Sequence, residues 1–340
     1  MKTLNDLLER LWYRNDISCR PLLIVLWPFS LLFQLLARLR RYYLTPLIYP
    51  LSVPVVVVGN ISVGGTGKTP LLCELAIQLR QRGVRVGIIS RGYGGSHTGA
   101  PKLVQTTDSA NEVGDEPLLM TRITGSPVVI GRQRLDAAHF LLTQAPVDLI
   151  LSDDGMQHYA LPRTLEIAVL DGARGAGNGF CLPAGPLREP VSRLKMVDYV
   201  VVNGAGCGNF LPDTLSAPVL QTHLHAQHWV AVHSGEILPL DTLPKGTTVN
   251  AVAGIGNPAR FFDTLRMLGL EVLEHPFADH HIYNAEDLQF NNAFPVVMTE
   301  KDAVKCNSLA NDDFYALHVQ MELPAVWLDQ LQKKIEKNFH

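Results

Sequence analysis

Residues 54–70, PVVVVGNISVGGTGKTP, restrict the fold more than any other stretch of this 340-residue chain. The four consecutive valines Val55 to Val58 form a short β-branched run that suits a strand buried on both faces of a parallel sheet. Leu71, Leu72, Leu75, Ala76 and Leu79 then recur at helical spacing, so the glycines between join a strand to a helix N-terminus. Within that join, Ser62, Val63, Gly64, Gly65, Thr66, Gly67, Lys68 and Thr69 match the phosphate-loop pattern GxxxxGK(S/T), with Ser62 standing where the first glycine belongs. Backbone N–H groups of such a loop turn toward an anion at the positive helix end. Lys68 then reaches the β- and γ-phosphates of a nucleotide, and the Thr69 hydroxyl ligates Mg²⁺. The plainer reading is a glycine-rich turn whose lysine faces solvent.

Gly83 ends that helix, and VRVGIIS at 84–90 reads as the next strand, which closes a βαβ unit of ordinary size. Strand patterns return at 128–131, 147–152, 165–170 and 198–202 with helical stretches between them, the signature of a doubly wound parallel α/β sheet of the P-loop NTPase type. Asp153 and Asp154 follow the strand at 147–152. Two adjacent carboxylates beside Gly155 repel each other unless a cation sits near, so both are candidate Mg²⁺ ligands; a plain strand-ending turn is the alternative. Residues 212–244 change to polar–apolar alternation and predict an antiparallel hairpin turning near Ser234 and Gly235. Beyond it, 248–254, 258–268, 270–275 and 295–299 predict a second, smaller α/β unit.

The N-terminus has another texture. PLLIVLWPFSLLFQLLA at 21–37 carries no charge over 17 residues and is closed by Arg38, Arg40, Arg41, Tyr42 and Tyr43. A membrane span takes about 20 apolar residues, and Pro28, Ser30 and Gln34 interrupt this run, so spanning and lying in the interface both stay open. No small-residue cleavage site follows, and the basic flank favours keeping everything after Arg38 in the cytoplasm. A buried core helix is the competing reading. The expected division is a membrane-anchoring segment at 1–45, a nucleotide-binding domain at 46–211, a hairpin connector at 212–247 and a smaller α/β domain at 248–340.

The net charge of -3 divides into +4 over residues 1–46 and -7 over the rest, which argues against nucleic-acid binding and for a basic arm at an anionic surface. Cys19, Cys73, Cys181, Cys207 and Cys306 contain no CxxC pair, so neither a disulfide framework nor a cysteine zinc site is indicated, and a reducing cytosol fits. His223, His225, His228 and His233 lack a fixed ligand spacing and are not read as a metal cluster. GIGNPARFF at 254–262 lacks the third glycine of a dinucleotide fingerprint.

The loop at 62–69, SRGYGG at 90–95, VGDEP at 113–117, DDGMQH at 153–158, PAGPLREP at 183–190, GIGNPARFF, FADHH at 277–281 and TEKDAVK at 299–305 occur together in this order. Behind a hydrophobic N-terminus, the set resembles the tetraacyldisaccharide 4'-kinases, the lipid A 4'-kinases of Gram-negative bacteria. The resemblance runs from about residue 10 to about residue 335. It implies transfer of the γ-phosphate of ATP, with Mg²⁺, to the 4'-hydroxyl of an acylated glucosamine disaccharide 1-phosphate at the cytoplasmic face of the inner membrane. Inner-membrane lipid is then a partner, and no protein partner is inferred.

Carried over by motif, the resemblance puts the catalytic acid of GDEP on Asp115 and its partner from the DHH element on His280. An aspartate that accepts the proton of a sugar hydroxyl, oriented by a histidine, is chemically suited to the task; a helix N-cap is the plainer role for Asp115. Arg188 and Glu189 sit in a Pro/Gly-framed loop able to aim an arginine at a transferring phosphoryl group or at the 1-phosphate, with a surface ion pair as the alternative. Arg91 and Tyr93 fall at the carboxyl edge of the sheet and are substrate-contact candidates. The acceptor hydroxyl is expected to approach Asp115 in a cleft between domains. Two rivals remain at this level: a membrane-associated P-loop NTPase switch acting on a protein partner, and a soluble kinase whose N-terminus is core.

Overall fold

A computed structural model describes residues 2–14, 16–45, 50–206, 210–212, 214–307 and 309–339. Cys207 and the expected domain boundary after residue 45 border on or lie outside the described residues. Along the chain run α1 (Lys2–Trp12), α2 (Arg20–Leu44), β1 (Val55–Gly59), α3 (Lys68–Gln81), β2 (Val86–Ser90) and β3 (Lys102–Leu103). Next come α4 (Ala110–Val113), α5 (Asp115–Thr124), β4 (Val128–Ile130), α6 (Arg134–Gln144), β5 (Leu149–Asp153), β6 (Leu165–Asp171), β7 (Tyr199–Asn203) and β8 (Val219–Thr222). The C-terminal part holds β9 (Leu224–Ala231), β10 (Ile237–Leu238), β11 (Thr248–Ala253), α7 (Pro258–Met267) and β12 (Glu271–Pro276). It ends with β13 (Val296–Thr299), α8 (Glu300–Cys306), β14 (Phe314–Met321) and α9 (Ala325–Phe339).

These elements fall into two compact units, one of residues 1–68, 148–223 and 323–340, the other of residues 69–147 and 224–322. The first unit carries the parallel run β5-β1-β6-β7-β8. Every residue of β1, β5, β6 and β7 is buried, as the continuous β-branched runs require of strands covered on both faces. α9 adds Trp327, whose ring meets Tyr199 edge-on at 5.4 Å. β1 and β5 are paired with Val58 opposite Asp153, so the strand feeding the phosphate loop and the strand ending in two aspartates finish side by side.

In the second unit β2 lies parallel to β4, and β3 pairs antiparallel with β4. A six-stranded sheet, β10-β9-β14-β13-β11-β12, forms the rest. Its core gathers Trp229, Val249, Ala251, Phe262, Leu265, Val297 and Leu317 on one side and Val252, Met298, Cys306 and Phe314 on the other. The predicted hairpin is the β9–β10 pair, turned through Gly235 at φ +75°. The sequence pattern announces neither β3 nor β14. In β14 the alternation breaks at a bulge between His318 and Val319, which shifts the register against β9 and removes the period-two signal.

Candidate active site

The phosphate loop belongs to the first unit up to Lys68. Gly64 and Gly67 take φ +94° and +93°, in the region open to glycine, and a Cβ on Gly67 would meet Asn203 Nδ2 at 2.2 Å. Asn203, at the carboxyl end of β7, donates from Nδ2 to the Thr66 carbonyl at 3.2 Å, and Asn60 Nδ2 donates to Thr66 Oγ1 at 3.4 Å. Val63 N donates to the Pro186 carbonyl at 2.9 Å. Ser62 forms an isolated antiparallel bridge with Leu187. Ser62 does not have a positive φ, which explains how a serine stands at the first position of the pattern: only the later turns of the loop demand glycine. Gly65 lies between the two turning glycines, and Thr69 follows Lys68 in the first turn of α3.

Asp153 closes β5 and is buried. Asp154 follows with φ +46°, a left-handed backbone uncommon outside glycine, and its carboxylate meets two cations. Arg188 Nη1 donates to Asp154 Oδ2 at 2.8 Å, and Lys68 Nζ lies 3.9 Å from Oδ1. Glu189 is buried, accepting from Tyr159 Oη at 2.8 Å and Gln157 Nε2 at 2.9 Å, with Arg193 Nε at 3.3 Å. Burial and the Glu189 charge push the Tyr159 hydroxyl well above its ordinary value. Arg188 and Glu189 also line a cavity of about 250 Å³ with Gln157, Tyr159 and, from α2, Phe33 and Arg40.

The second unit assembles the other group. Asp115 is the first residue of α5, and Gly114, at φ +93°, holds the cap position, so the expected N-cap role does not fall on the aspartate. His280 Nδ1 lies 3.0 Å from both carboxylate oxygens of Asp115. A Cβ on Gly114 would sit 2.6 Å from the Tyr93 carbonyl, and one on Gly95 would sit 2.4 Å from the Glu112 carbonyl. SRGYGG and VGDEP therefore touch backbone to backbone, which brings Tyr93 edge-on to His280 at 4.9 Å between ring centroids. Arg91, one residue past β2, is exposed.

Burial alone would raise the Asp115 carboxyl, but the His280 hydrogen bond and the Lys301 and Lys305 charges hold it below the ordinary carboxylate range. For His280, burial disfavours the charged ring and Asp115 outweighs that, so the imidazole sits above its ordinary value. The two directions agree: the pair favours an ionised aspartate beside a readily protonated histidine. The motif TEKDAVK by itself assigns no role to Lys301 or Lys305. Their spacing of four reads in sequence as a solvated face; the structure puts them on a helix capped by Thr299 Oγ1 accepting from Asp302 N.

A family model described as tetraacyldisaccharide-1-P 4'-kinase matches residues 22–336. A tetraacyldisaccharide 4'-kinase of Azotobacter vinelandii is 49% identical over 319 residues, covering 93% of this chain and 92% of its own length. One from Pseudomonas putida strain W619 is 46% identical over 337 residues and covers 97% of each chain. Among solved structures, an apo-form LpxK from Aquifex aeolicus in complex with ATP superposes with a TM-score of 0.79 at 29% identity, over 94% of this chain and all of that one. With its phosphate loop, its Asp115–His280 pair and these matches over nearly its full length, the chain belongs to the tetraacyldisaccharide-1-phosphate 4'-kinase family.

Proposed function

We propose that this chain moves the γ-phosphate of ATP to the 4'-hydroxyl of a tetraacyldisaccharide 1-phosphate, with the nucleotide on residues 62–69 and proton removal by Asp115. The observation that carries the reading is the buried Asp115 carboxylate held 3.0 Å from His280 Nδ1 beside exposed Tyr93. A carboxylate kept ionised, with its orientation fixed, can accept the proton of a sugar hydroxyl as oxygen attacks phosphorus; the O–P bond forms as the bond to the ADP oxygen breaks. Lys68 neutralises charge on the transferring group. Arg188 is a candidate for the same charge or for the 1-phosphate of the acceptor, and Arg91 and Tyr93 are candidates for the sugar.

The donors at hand are oxygens, which suits a hard ion that takes one or two carboxylates and leaves its other positions to water and phosphate. Thr69, with Asp153 or Asp154, is the set we assign to Mg²⁺; Asp154 also meets Arg188 and Lys68. When bound, the ion screens the negative charge of the phosphates. Glu189, occupied by Tyr159, Gln157 and Arg193, is better suited to hold the Arg188 loop than to touch substrate.

The four acyl chains require that the enzyme meet its acceptor at a bilayer. α2 is 25 residues long and leaves Ile24, Trp27, Phe29, Leu32, Leu35 and Leu36 exposed. Its other stripe is docked: Ser30, mid-helix and fully buried, donates from Oγ to the Cys181 carbonyl and accepts from Ala184 N at 3.1 Å. A span would carry that polar loop into hydrocarbon, so we read α2 as lying in the interface, with the whole chain on the cytoplasmic side of the inner membrane. An N-terminal tag should be cleaved by protease added to the cytoplasmic side of sealed vesicles; protection of the tag would contradict this. Leu32→Glu with Leu36→Glu should weaken co-flotation with anionic vesicles at least about tenfold, since each leucine withdrawn from lipid costs about 1.5 to 3 kcal/mol.

The function is tested by incubating the chain with γ-labelled ATP, Mg²⁺ and tetraacyldisaccharide 1-phosphate in mixed micelles. Label should appear in the lipid and survive the mild acid that removes the anomeric 1-phosphate. Label recovered only as inorganic phosphate would instead support an NTPase switch.

A further inference from the structure

Two lysines one helical turn apart on α8 sit where a kinase of this kind has no obvious use for buried cations. Lys301 has 15% of its side chain exposed and Lys305 5%. The Lys301 ammonium has three hydrogens and three acceptors within reach: Glu116 Oε1 at 2.9 Å, Asp279 Oδ1 at 3.1 Å and His280 Nε2 at 3.4 Å. It lies 4.0 Å from Asp115 Oδ2. Lys305 Nζ lies 2.8 Å from Asp302 Oδ1 and 3.8 Å from Asp115 Oδ2, over the Tyr283 ring at 5.0 Å. Asp302 is itself fixed. It is fully buried and accepts from Gly254 N at 3.0 Å, Tyr283 Oη at 3.0 Å and Thr299 Oγ1 at 2.7 Å.

We propose that Lys301 and Lys305 are positioning residues for the Asp115–His280 pair: Lys301 fixes the tautomer of His280, and Lys305, seated on Asp302, holds the Asp115 carboxylate in place and ionised. The inference rests on Asp115 being the proton acceptor. A lysine ammonium has hydrogens to give and no lone pair to receive one, so a contact on Nε2 requires that nitrogen to be the acceptor. The neutral ring then carries its hydrogen on Nδ1, directed at the carboxylate. The carboxylates gathered here, Asp115, Glu116, Asp279 and Asp302, would by themselves keep His280 protonated and Asp115 hard to ionise. The two lysines oppose both effects. The charged and titratable groups around His280 are Asp115 and Glu116 from α5, Lys301, Lys305 and Asp302 from α8, Asp279 from its own loop, and Tyr93 from the SRGYGG loop. His281, next in sequence, is engaged by Asp287 at 3.0 Å.

Protonated His280 ties Asp115 into an ion pair and weakens it as a base, so activity rises with pH through the His280 titration. Removing the Lys301 charge makes His280 easier to protonate, and removing the Lys305 charge makes Asp115 easier to protonate. Both changes move the acid limb of the kcat–pH profile upward. Lys301→Met is expected to shift it by about half to one pH unit, a three- to tenfold change in proton affinity, with KM for ATP unchanged and most of the shift restored in Lys301→Arg. Lys305→Met should shift the limb the same way.

The test is the kcat–pH profile of the full chain with ATP and the tetraacyldisaccharide 1-phosphate, together with the NMR titration of the His280 ring in wild type and Lys301→Met. An upward shift of both supports the inference. An unmoved limb, or a uniform loss of rate at every pH, overturns it and leaves the lysines as structural ion pairs. If Lys305→Met fails to fold, the more exposed Lys301 decides the matter. Asp115→Asn separates the two readings: if that variant keeps full activity, the proton-acceptor assignment fails, while the His280 titration still judges Lys301.

Discussion

Asp115→Asn is expected to lower kcat by about 10² to 10⁴ while leaving KM for ATP within about twofold, the range that loss of a positioned general base produces. The substitution keeps the shape of the side chain and the acceptor oxygen that receives Glu116 N at 2.8 Å, so the start of α5 stays formed. What it removes is the charge that we propose takes the proton. His280 Nδ1 loses the carboxylate charge that stands 3.0 Å away and should titrate lower. Measuring kcat and both KM values by product formation, with a thermal melt to confirm folding, checks the expectation. A loss confined to KM for the lipid would assign Asp115 to acceptor binding.

Lys68→Met is expected to reduce kcat/KM for ATP by about 10² to 10³, comparable to the loss of a preorganised charge-stabilising donor. Lys68 Nζ stands 3.9 Å from Asp154 Oδ1, and Arg188 shares that carboxylate at 2.8 Å. Asp154 therefore holds the two cations assigned to phosphate, and the methionine variant leaves it with Arg188. The backbone of the loop should survive, because its turns are set by Gly64 and Gly67 and by Asn203 on the Thr66 carbonyl. Weaker nucleotide binding with an intact melt distinguishes this from collapse of the loop.

Local pattern made the parallel core legible in the sequence. Val55 to Val58, the glycine loop and the run ending at Asp153 announce themselves within about ten residues each. The Asp115–His280 pair was not legible in that way, since 165 residues separate the partners and nothing local ties GDEP to DHH; the ordered family motifs supplied the link. The lysines of α8 were beyond both routes. A charged pair four apart reads as a solvated face, and only burial against Glu116, Asp279 and Asp302 shows that it is not. The N-terminal helix was ambiguous for another reason. Composition reports how apolar 21–37 is, but the docking of Ser30 on the Cys181–Ala184 turn depends on residues 151 and 154 positions away.

We propose a division of labour: residues 62–69 hold the nucleotide, and Asp115 handles the acceptor's proton. The most direct measurement is an equilibrium titration of a non-hydrolysable ATP analogue, with Mg²⁺, into wild type, Lys68→Met and Asp115→Asn. Asp115→Asn should bind it with the wild-type Kd, and Lys68→Met at least about tenfold more weakly. Nucleotide binding lost in Asp115→Asn and preserved in Lys68→Met would contradict the assignment of both centres.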